Sequence, residues 1–283
     1  MQVSCAVVCY QNSPQQIAQL LSSIVTPTGP KSLELQLTVI DNSPCNDLAE
    51  VAQQFGVDYL HLPGNPGFGK AHNLAIHNAF KKNTAYHLIL NPDTHFSSEV
   101  IPTLVEYLRN QRDIGLIMPD IRYPDGRQQL LCKLLPTPVD LFMRRFSPKL
   151  YEFCGLQAKY ELHRSGYDQI MDVPALSGCF MLIRTSVLRK VGGFDERFFM
   201  YLEDVDLCRR IAKVARTVYF PHVSITHEYV KGSYKSWRLL FSHVKSAIIY
   251  FNKWGWFFDP ERRVINRSAL RKIESMKTSV ELQ

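Results

Sequence analysis

The chain of 283 residues is 46% hydrophobic and 21% charged, enough to bury one large core or two small ones, which excludes a disordered polymer. Its net charge of +7 lies at the end, where eleven Lys and Arg face four Asp and Glu from Lys231 onward, so the residues before Lys231 sum to zero. No apolar run approaches the roughly 20 residues of a membrane span, the opening M-Q-V-S-C-A-V-V-C-Y lacks the basic region of a secretory signal, and seven Cys without C-x-x-C spacing argue against a zinc site or disulfide framework and for a reducing cytoplasm.

In chain order, short β-rich runs alternate with amphipathic segments, which predicts parallel strands covered by helices. Val3 to Val8 reads as a buried strand, followed by a helix over Pro14 to Ile24 with apolar residues at Ile17, Leu20, Leu21 and Ile24. Leu35 to Ile40 is a second strand ending on Asp41, and Tyr59 to Leu62 a third, leading through a Gly-rich turn into a helix from about Lys70 to Phe80. Tyr86 to Leu90 is a fourth strand, ending on Asn91-Pro92-Asp93. Such strand ends deliver polar residues to the carboxyl edge of a sheet, where open α/β sheets bind ligands, so Asp41 and Asp93 are expected near one another. After a helix over Ile101 to Arg109 the regularity fades, and Tyr123 to Asp172 reads as a long irregular excursion shaping a site. Ala175 to Arg184 is a strand, Thr185 to Val191 a helix stopped by Gly192-Gly193, and Thr217 to Phe220 a further strand.

Three groups of residues suggest chemistry. In Phe198 to Arg210, F-F-M-Y-L-E-D-V-D-L-C-R-R, three carboxylates crowd an apolar segment that feeds a helix. One acidic cap is ordinary there, because the first N–H groups and the macrodipole favour negative charge. Glu203 and Asp204 are adjacent, however, and a carboxylate so placed beside a cleft is also suited to be a general base. Asn65-Pro66-Gly67-Phe68-Gly69-Lys70 with Asn73 puts two glycines between strand and helix, which suits a phosphate approached by backbone and also fits a tight turn capped by Asn65. It matches neither the dinucleotide nor the P-loop pattern. Asn91-Pro92-Asp93 fits an Asx turn, or a divalent cation that takes one carboxylate together with water and phosphate. His227 stands ahead of Lys231, Gly232 and Ser233, a group able to bind an anion.

Together, Asp41, Asn65-Pro-Gly-Phe-Gly, Asn91-Pro-Asp93, Ser177-Gly178, Gly192-Gly193-Phe194-Asp195-Glu196, the segment around Glu203, Asp204 and Asp206, and His227-x4-Gly232-x-Ser resemble a family 2 glycosyltransferase, more narrowly its bacterial rhamnosyltransferase-like branch. The resemblance runs from about Val3 to Trp256 and implies the GT-A fold, a Rossmann-like, mostly parallel nucleotide-binding sheet with helices on both faces. It also implies a nucleotide-diphosphate-sugar donor, a divalent metal (Mg²⁺ or Mn²⁺) and inversion at the anomeric carbon. On this resemblance Asp41 contacts the base or ribose, Asp93 holds the metal with His227 as a further ligand, Asp204 is the general base and Glu203 orients the acceptor or the base. Asn65, Gly67, Gly69, Lys70, Asn73, Asn91, Lys231 and Ser233 fall to the donor side. Many relatives carry Asp-x-Asp where this chain has Asn91-Pro92-Asp93. The expected donor, deoxythymidine diphosphate rhamnose (dTDP-rhamnose), rests on resemblance alone, as does use of the product in cell-surface polysaccharide.

Residues 1–230 are therefore expected to be the catalytic domain and 231–283 a basic, aromatic, amphipathic helical extension. Trp237 to Phe258, followed by Arg262, Arg263, Arg267, Arg271 and Lys272, suits an anionic membrane interface and a lipid-linked saccharide acceptor, although its apolar face also suits packing on the domain. A nucleic-acid partner is not expected, since no recognition motif accompanies the basic charge. Two rival classes are a sugar-nucleotide nucleotidyltransferase, which needs a basic phosphate-gripping loop that Val8 to Pro14 lacks, and a non-catalytic glycan-binding protein, expected to lose Asp93 or Asp204.

Overall fold

The computed structural model describes residues 1–25, 33–228 and 237–281. β1 (Gln2–Cys9), β2 (Glu34–Asp41), β3 (Asp58–His61) and β4 (Tyr86–Leu90) fall within one residue of the expected bounds. They pair in parallel in the order β3-β2-β1-β4. Along β1 the side chains alternate between faces, as a pleated strand requires. Val3, Cys5 and Val7 join a core with Ile17, Leu20 and Leu21 of α1 (Pro14–Val25), while Ala6 and Val8 meet Ala71 and Ala75 of α3 (Phe68–Lys81). Burial on both faces explains why these strands read as continuous apolar runs rather than alternating ones. The small α2 (Ala49–Gln54) lies between β2 and β3.

The second half of the sheet was legible only in part, through the strands expected over Ala175 to Arg184, which begins only at Phe180, and over Thr217 to Phe220. β8 (Phe180–Arg184) runs antiparallel to β4, and β6 (Ile114–Arg122), after α4 (Val100–Asn110), runs antiparallel to β8. β9 (Arg216–His227) then pairs in parallel with β6, and the two-residue strands β5 (Thr94–His95) and β7 (Met171–Asp172) pair antiparallel with β9. Six of the nine strands among the described residues thus share one direction in a mixed α/β architecture whose central sheet is mostly parallel. Proline concealed this half. Pro119 sits inside β6, and Pro221 ended the expected strand at Phe220, whereas β9 continues to His227. The register steps from Pro119–Phe220 to Asp120–Ser224, so residues 221–223 are accommodated as a bulge.

The excursion at 123–172 is not irregular. It contains α5 (Pro138–Phe146), α6 (Pro148–Phe153) and α7 (Leu156–Tyr160). A full capping box starts α5, with Thr137 Oγ1 accepting the Asp140 N–H and Asp140 accepting the Thr137 N–H, and Pro138 occupies the first turn. T-P-V-D was therefore a readable helix start. After α8 (Thr185–Val191), α9 (Glu203–Ile211) carries the acidic cluster, and α10 (Trp237–Trp254) and α11 (Pro260–Glu281) form the tail. Tyr250 and Phe251 of α10 bury against Phe198, Leu202 and Val205, and Ala269 and Ile273 of α11 join the main core. No described helix is long and apolar enough to cross a membrane.

Candidate active site

The three crowded carboxylates diverge. Asp206 is fully buried and faces the tail, accepting from Trp254 Nε1 at 2.8 Å and pairing with Lys253 at 2.7 Å and Arg210 at 2.8 Å. It fastens α10 to α9. Asp204, half-buried, accepts the Gly178 N–H at 3.0 Å on Oδ2 and the Val205 N–H at 2.8 Å on Oδ1. Glu203 is buried, and its Oε2 has no hydrogen-bond partner. The bend ahead of them places Tyr201 (φ 72°) and Leu202 (φ 64°) successively in the left-handed region. This strained geometry, costly for bulky residues, sets both carboxylates at the first turn of α9.

Electrostatics separates the neighbours. Burial, followed by repulsion from Asp204, pushes the Glu203 carboxyl up to about 8. Burial also raises Asp204, but the Gly178 and Val205 N–H groups and nearby Lys133 oppose the rise. Two donors favour the ionised form. The pair therefore shares its proton unequally, held on Glu203 and leaving Asp204 as the carboxylate. Asp204 opens on a cavity of about 230 Å³ lined also by Lys133, Tyr160, Ser177, Glu203 and His243. Burial and the neighbouring Arg144 hold the Lys133 ammonium below its ordinary value, while Glu161 and Asp204 pull it back. Lys133, Tyr160 and His243 carry no sequence signal for this place, because each arrives from a different helix or loop.

A second cluster forms where β5 meets β9, with Thr94 opposite His227. Gln129 Nε2 donates to the carbonyls of His227 at 2.7 Å and Arg122 at 3.3 Å, which fixes its amide orientation. Gln129 Oε1 must then accept from His227 Nδ1 at 3.0 Å. His227 Nε2 is thereby turned toward Asp93 Oδ1 at 3.3 Å, with Asn91 Nδ2 3.4 Å away. Asp93 Oδ1 is buried without a hydrogen bond, so a lone pair and a carboxylate oxygen converge, which is the donor set a divalent cation suits. Among the described residues no cluster of three His, Cys, Asp or Glu exists, so such an ion would need donor phosphate and water to complete its shell. The two clusters meet at consecutive residues, since Cys179 O accepts the Asn91 N–H at 2.9 Å and Gly178 donates to Asp204.

Other expected residues serve the scaffold. Asp41 is fully enclosed, its oxygens accepting the Ser43 N–H and the Tyr59 hydroxyl, each at 2.9 Å, so it presents no surface to a ligand. It stands at the same sheet edge as Asp93 with β1 between them. Asn65 makes the tight turn, accepting the Gly67 N–H at 3.3 Å. The glycines admit protein rather than phosphate. A Cβ on Gly67 would lie 2.4 Å from Phe199 O, and one on Gly69 3.0 Å from Phe194 Cβ. The Phe68 N–H already donates to Phe199 O at 3.0 Å. Asn73 is a clamp, accepting the Phe194 N–H at 2.8 Å and donating to Phe194 O and Glu196 Oε1. Lys70 is exposed and reaches Glu196 at 3.9 Å. Lys231, Gly232 and Ser233, expected as an anion-binding group, lie outside the described residues.

The chain is similar in sequence to the N-acetylglucosaminyl-diphospho-decaprenol L-rhamnosyltransferase of Mycobacterium tuberculosis, 29% identical over 198 residues that cover 68% of this chain and 64% of that relative. It is 30% identical to the rhamnosyltransferase WbbL of Escherichia coli over 204 residues, covering 68% of this chain and 72% of that one. In fold it resembles GalNAc-T7 solved with UDP, GalNAc and Mn²⁺ (TM-score 0.65, 14% identity, 93% of this chain and 49% of that one). It also resembles S. aureus TarS 1-349 in complex with UDP-GlcNAc (TM-score 0.60, 17% identity, 89% and 67%). The family model matches residues 2–243, from the first strand into α10, and the chain belongs to glycosyltransferase-like family 2.

Proposed function

We propose that the chain is an inverting glycosyltransferase that moves a sugar from a nucleotide-diphosphate donor to a hydroxyl of a saccharide or lipid-linked saccharide. The supporting observation is Asp204, held by two backbone donors at the mouth of a cavity beside the buried Glu203, whose carboxyl is pushed up to about 8. Asp204 takes the proton from the acceptor hydroxyl as its oxygen attacks the anomeric carbon, and Glu203, still neutral, donates a hydrogen bond that orients the acceptor. Neutral Glu203 leaves the attacking oxygen facing one negative charge instead of two. Asp93 and His227 would hold a divalent ion, Mg²⁺ or Mn²⁺, which when bound neutralises charge on the departing diphosphate. Asp41 shapes the nucleotide wall through Ser43 and Tyr59 instead of touching the base.

The names of the two sequence relatives support rhamnose as the sugar, and the name of the first supports a lipid diphosphate saccharide as the acceptor, while dTDP-rhamnose as the donor and a place in cell-surface polysaccharide synthesis rest on the resemblance alone. We assign catalysis to residues 1–230 and contact with the cytoplasmic membrane face to residues 231–283. A nucleotidyltransferase or an inert glycan binder would leave Asp204 without a task. The test is Asp204→Asn, which keeps volume but removes proton-accepting capacity. It is expected to lower transfer about 10²- to 10⁴-fold while nucleotide-sugar binding persists. A variant with near-native turnover would leave Asp204 as a helix cap.

A further inference from the structure

The helix α10 has two apolar faces, and the core uses only one. Ser246, Tyr250 and Phe251 are buried, whereas Trp237, Phe241, Val244 and Ile248, spaced four, three and four residues apart, form a second stripe that is 86%, 71%, 42% and 44% exposed. An amphipathic helix docked on a domain ordinarily turns polar residues outward. Beside it α5 repeats the pattern. Leu141 is buried in the cluster that holds Tyr250, while Phe142 and Phe146 face out, their rings tilted by 41° with centroids 4.9 Å apart. Between the two helices runs an apolar groove of about 510 Å³, floored by Leu141, Leu240, Ala247 and Phe251.

This groove does not end blindly. Leu141, Arg145, Leu240 and His243 line both it and the Asp204 cavity, so the two adjoin across these four side chains. Arg144 joins Arg145 on the cavity side, over the Tyr160 ring at 5.1 Å and 3.7 Å from Glu161, with Lys133 further in. Two guanidinium groups thus stand at the junction, one of them paired with Glu161. His243, between burial and these two guanidinium groups, is pushed down to about 4 and stays neutral. The path therefore runs apolar, then cationic, then to a carboxylate base.

We propose that the α5–α10 groove seats the hydrocarbon chain of a polyprenyl-diphosphate-linked acceptor, with Arg144 and Arg145 holding its diphosphate where the groove opens into the Asp204 cavity. The inference rests on the reading of Asp204 as the base and on the lipid diphosphate acceptor proposed above, and assigns that acceptor's chain and diphosphate to named residues. A bare bilayer would not require cations placed between an apolar surface and the base, and a peptide would require backbone partners that the groove does not offer. Chain, diphosphate and sugar hydroxyl match the three zones in order, and the two guanidinium groups complement the diphosphate charge.

The test uses the full chain with farnesyl diphosphate as probe, and farnesol and inorganic diphosphate as its two parts, each measured by calorimetry below micelle-forming concentration. Farnesyl diphosphate is expected to bind at least tenfold tighter than either part. Ile248→Asp and Phe146→Ser, both at exposed positions, should each weaken it at least tenfold without changing the thermal midpoint or the shift induced by nucleotide sugar. Arg145→Gln should bring farnesyl diphosphate down to the level of farnesol. Equal binding by the wild type and Ile248→Asp would overturn the proposal. So would farnesol binding as tightly as farnesyl diphosphate, or phosphatidylglycerol vesicles binding with the same sensitivity to Ile248→Asp while farnesyl diphosphate fails to compete. A protein that binds farnesyl diphosphate in this pattern yet shows no transfer dependent on Asp204 keeps the groove and loses the catalytic reading. One that transfers to a soluble saccharide but ignores farnesyl diphosphate loses the groove alone.

Discussion

Gly178 donates its backbone N–H to Asp204 Oδ2 at 3.0 Å, joining the turn before β8 to the first turn of α9 across 26 residues. The bond favours the ionised form of Asp204 and leaves the shared proton on Glu203, which lacks a comparable donor on Oε2. The next residue, Cys179, binds Asn91 through its carbonyl, so one turn sets the spacing between the base and the Asp93–His227 pair.

The proton on Glu203 makes both stability and transfer dependent on pH. With Glu203 pushed from 4.5 to about 8, the folded chain retains a proton that the unfolded chain has lost across this window. The contribution is fully present below the unfolded value and is lost as pH rises through the folded one, at most about 1.4 kcal/mol per pH unit. Glu203→Gln cannot ionise, so its stability should exceed that of the wild type by a margin that grows from pH 5 to pH 8. Transfer by the wild type should fall above about pH 8, when a second negative charge enters the pair, and this alkaline limb should vanish in the variant. Denaturant titrations and kcat/KM profiles on both proteins check it, and parallel profiles would place the proton elsewhere.

Metal dependence should follow Asp93, His227 and the residue that orients the latter. Asp93→Ala is expected to abolish the gain in nucleotide diphosphate affinity that Mn²⁺ provides, with a smaller loss for His227→Ala. Gln129→Leu removes the acceptor of His227 Nδ1–H without touching the ion and should weaken the gain about 10- to 100-fold. Calorimetry of nucleotide diphosphate with and without Mn²⁺ separates these cases. Full metal dependence in Asp93→Ala would refute the pair as ligands.

Residues at strand ends were legible because a strand announces where its carboxyl edge lies, and Asn91, Asp93, Glu203 and Asp204 all sit at such edges or helix starts. Lys133, Gln129, Arg144 and His243 were not, since their place depends on pairings across roughly 30 to 100 residues that no local pattern records. Gly67 and Gly69 show a different limit. A glycine signals that something comes close to the backbone, and here the visitors are Phe199 and Phe194 instead of a phosphate. The strand expected to stop at Phe220 ran short for a physical reason, because the bulge at residues 221–223 lets β9 continue past Pro221.

Asn73 offers a direct contrast between scaffold and ligand roles. Its side chain makes three hydrogen bonds to Phe194 and Glu196 and is 4% exposed. Asn73→Ala leaves the Phe194 N–H and carbonyl without these partners, at a cost of about 1–3 kcal/mol. Chemical denaturation should register that loss. Nucleotide affinity per folded molecule should hold within a few fold, and a selective loss of nucleotide binding with stability intact would return Asn73 to the donor site.

The tail separates into charges that build the fold and charges that face outward. Arg262 is buried, donating to Pro136 O at 3.2 Å and Trp256 O at 3.1 Å, so it is not the surface charge that its place in a basic run suggested. Nearby, Arg209 holds Asp259 through two bonds of 2.7 Å, fixing the start of α11 to α9. Arg262→Glu should therefore destabilise the chain by about 3–5 kcal/mol, the cost of leaving a buried charge unpaired. Arg263, Arg267 and Arg271 are exposed. Reversing these three should leave the thermal midpoint within a few degrees but weaken binding to anionic vesicles by roughly 1 kcal/mol per charge, an effect that fades with added salt. Transfer to a short soluble saccharide should survive the triple change, while transfer to a lipid-linked acceptor in vesicles should decline. Vesicle binding by the triple variant equal to that of the wild type at low salt would confine the tail to its packing on α9.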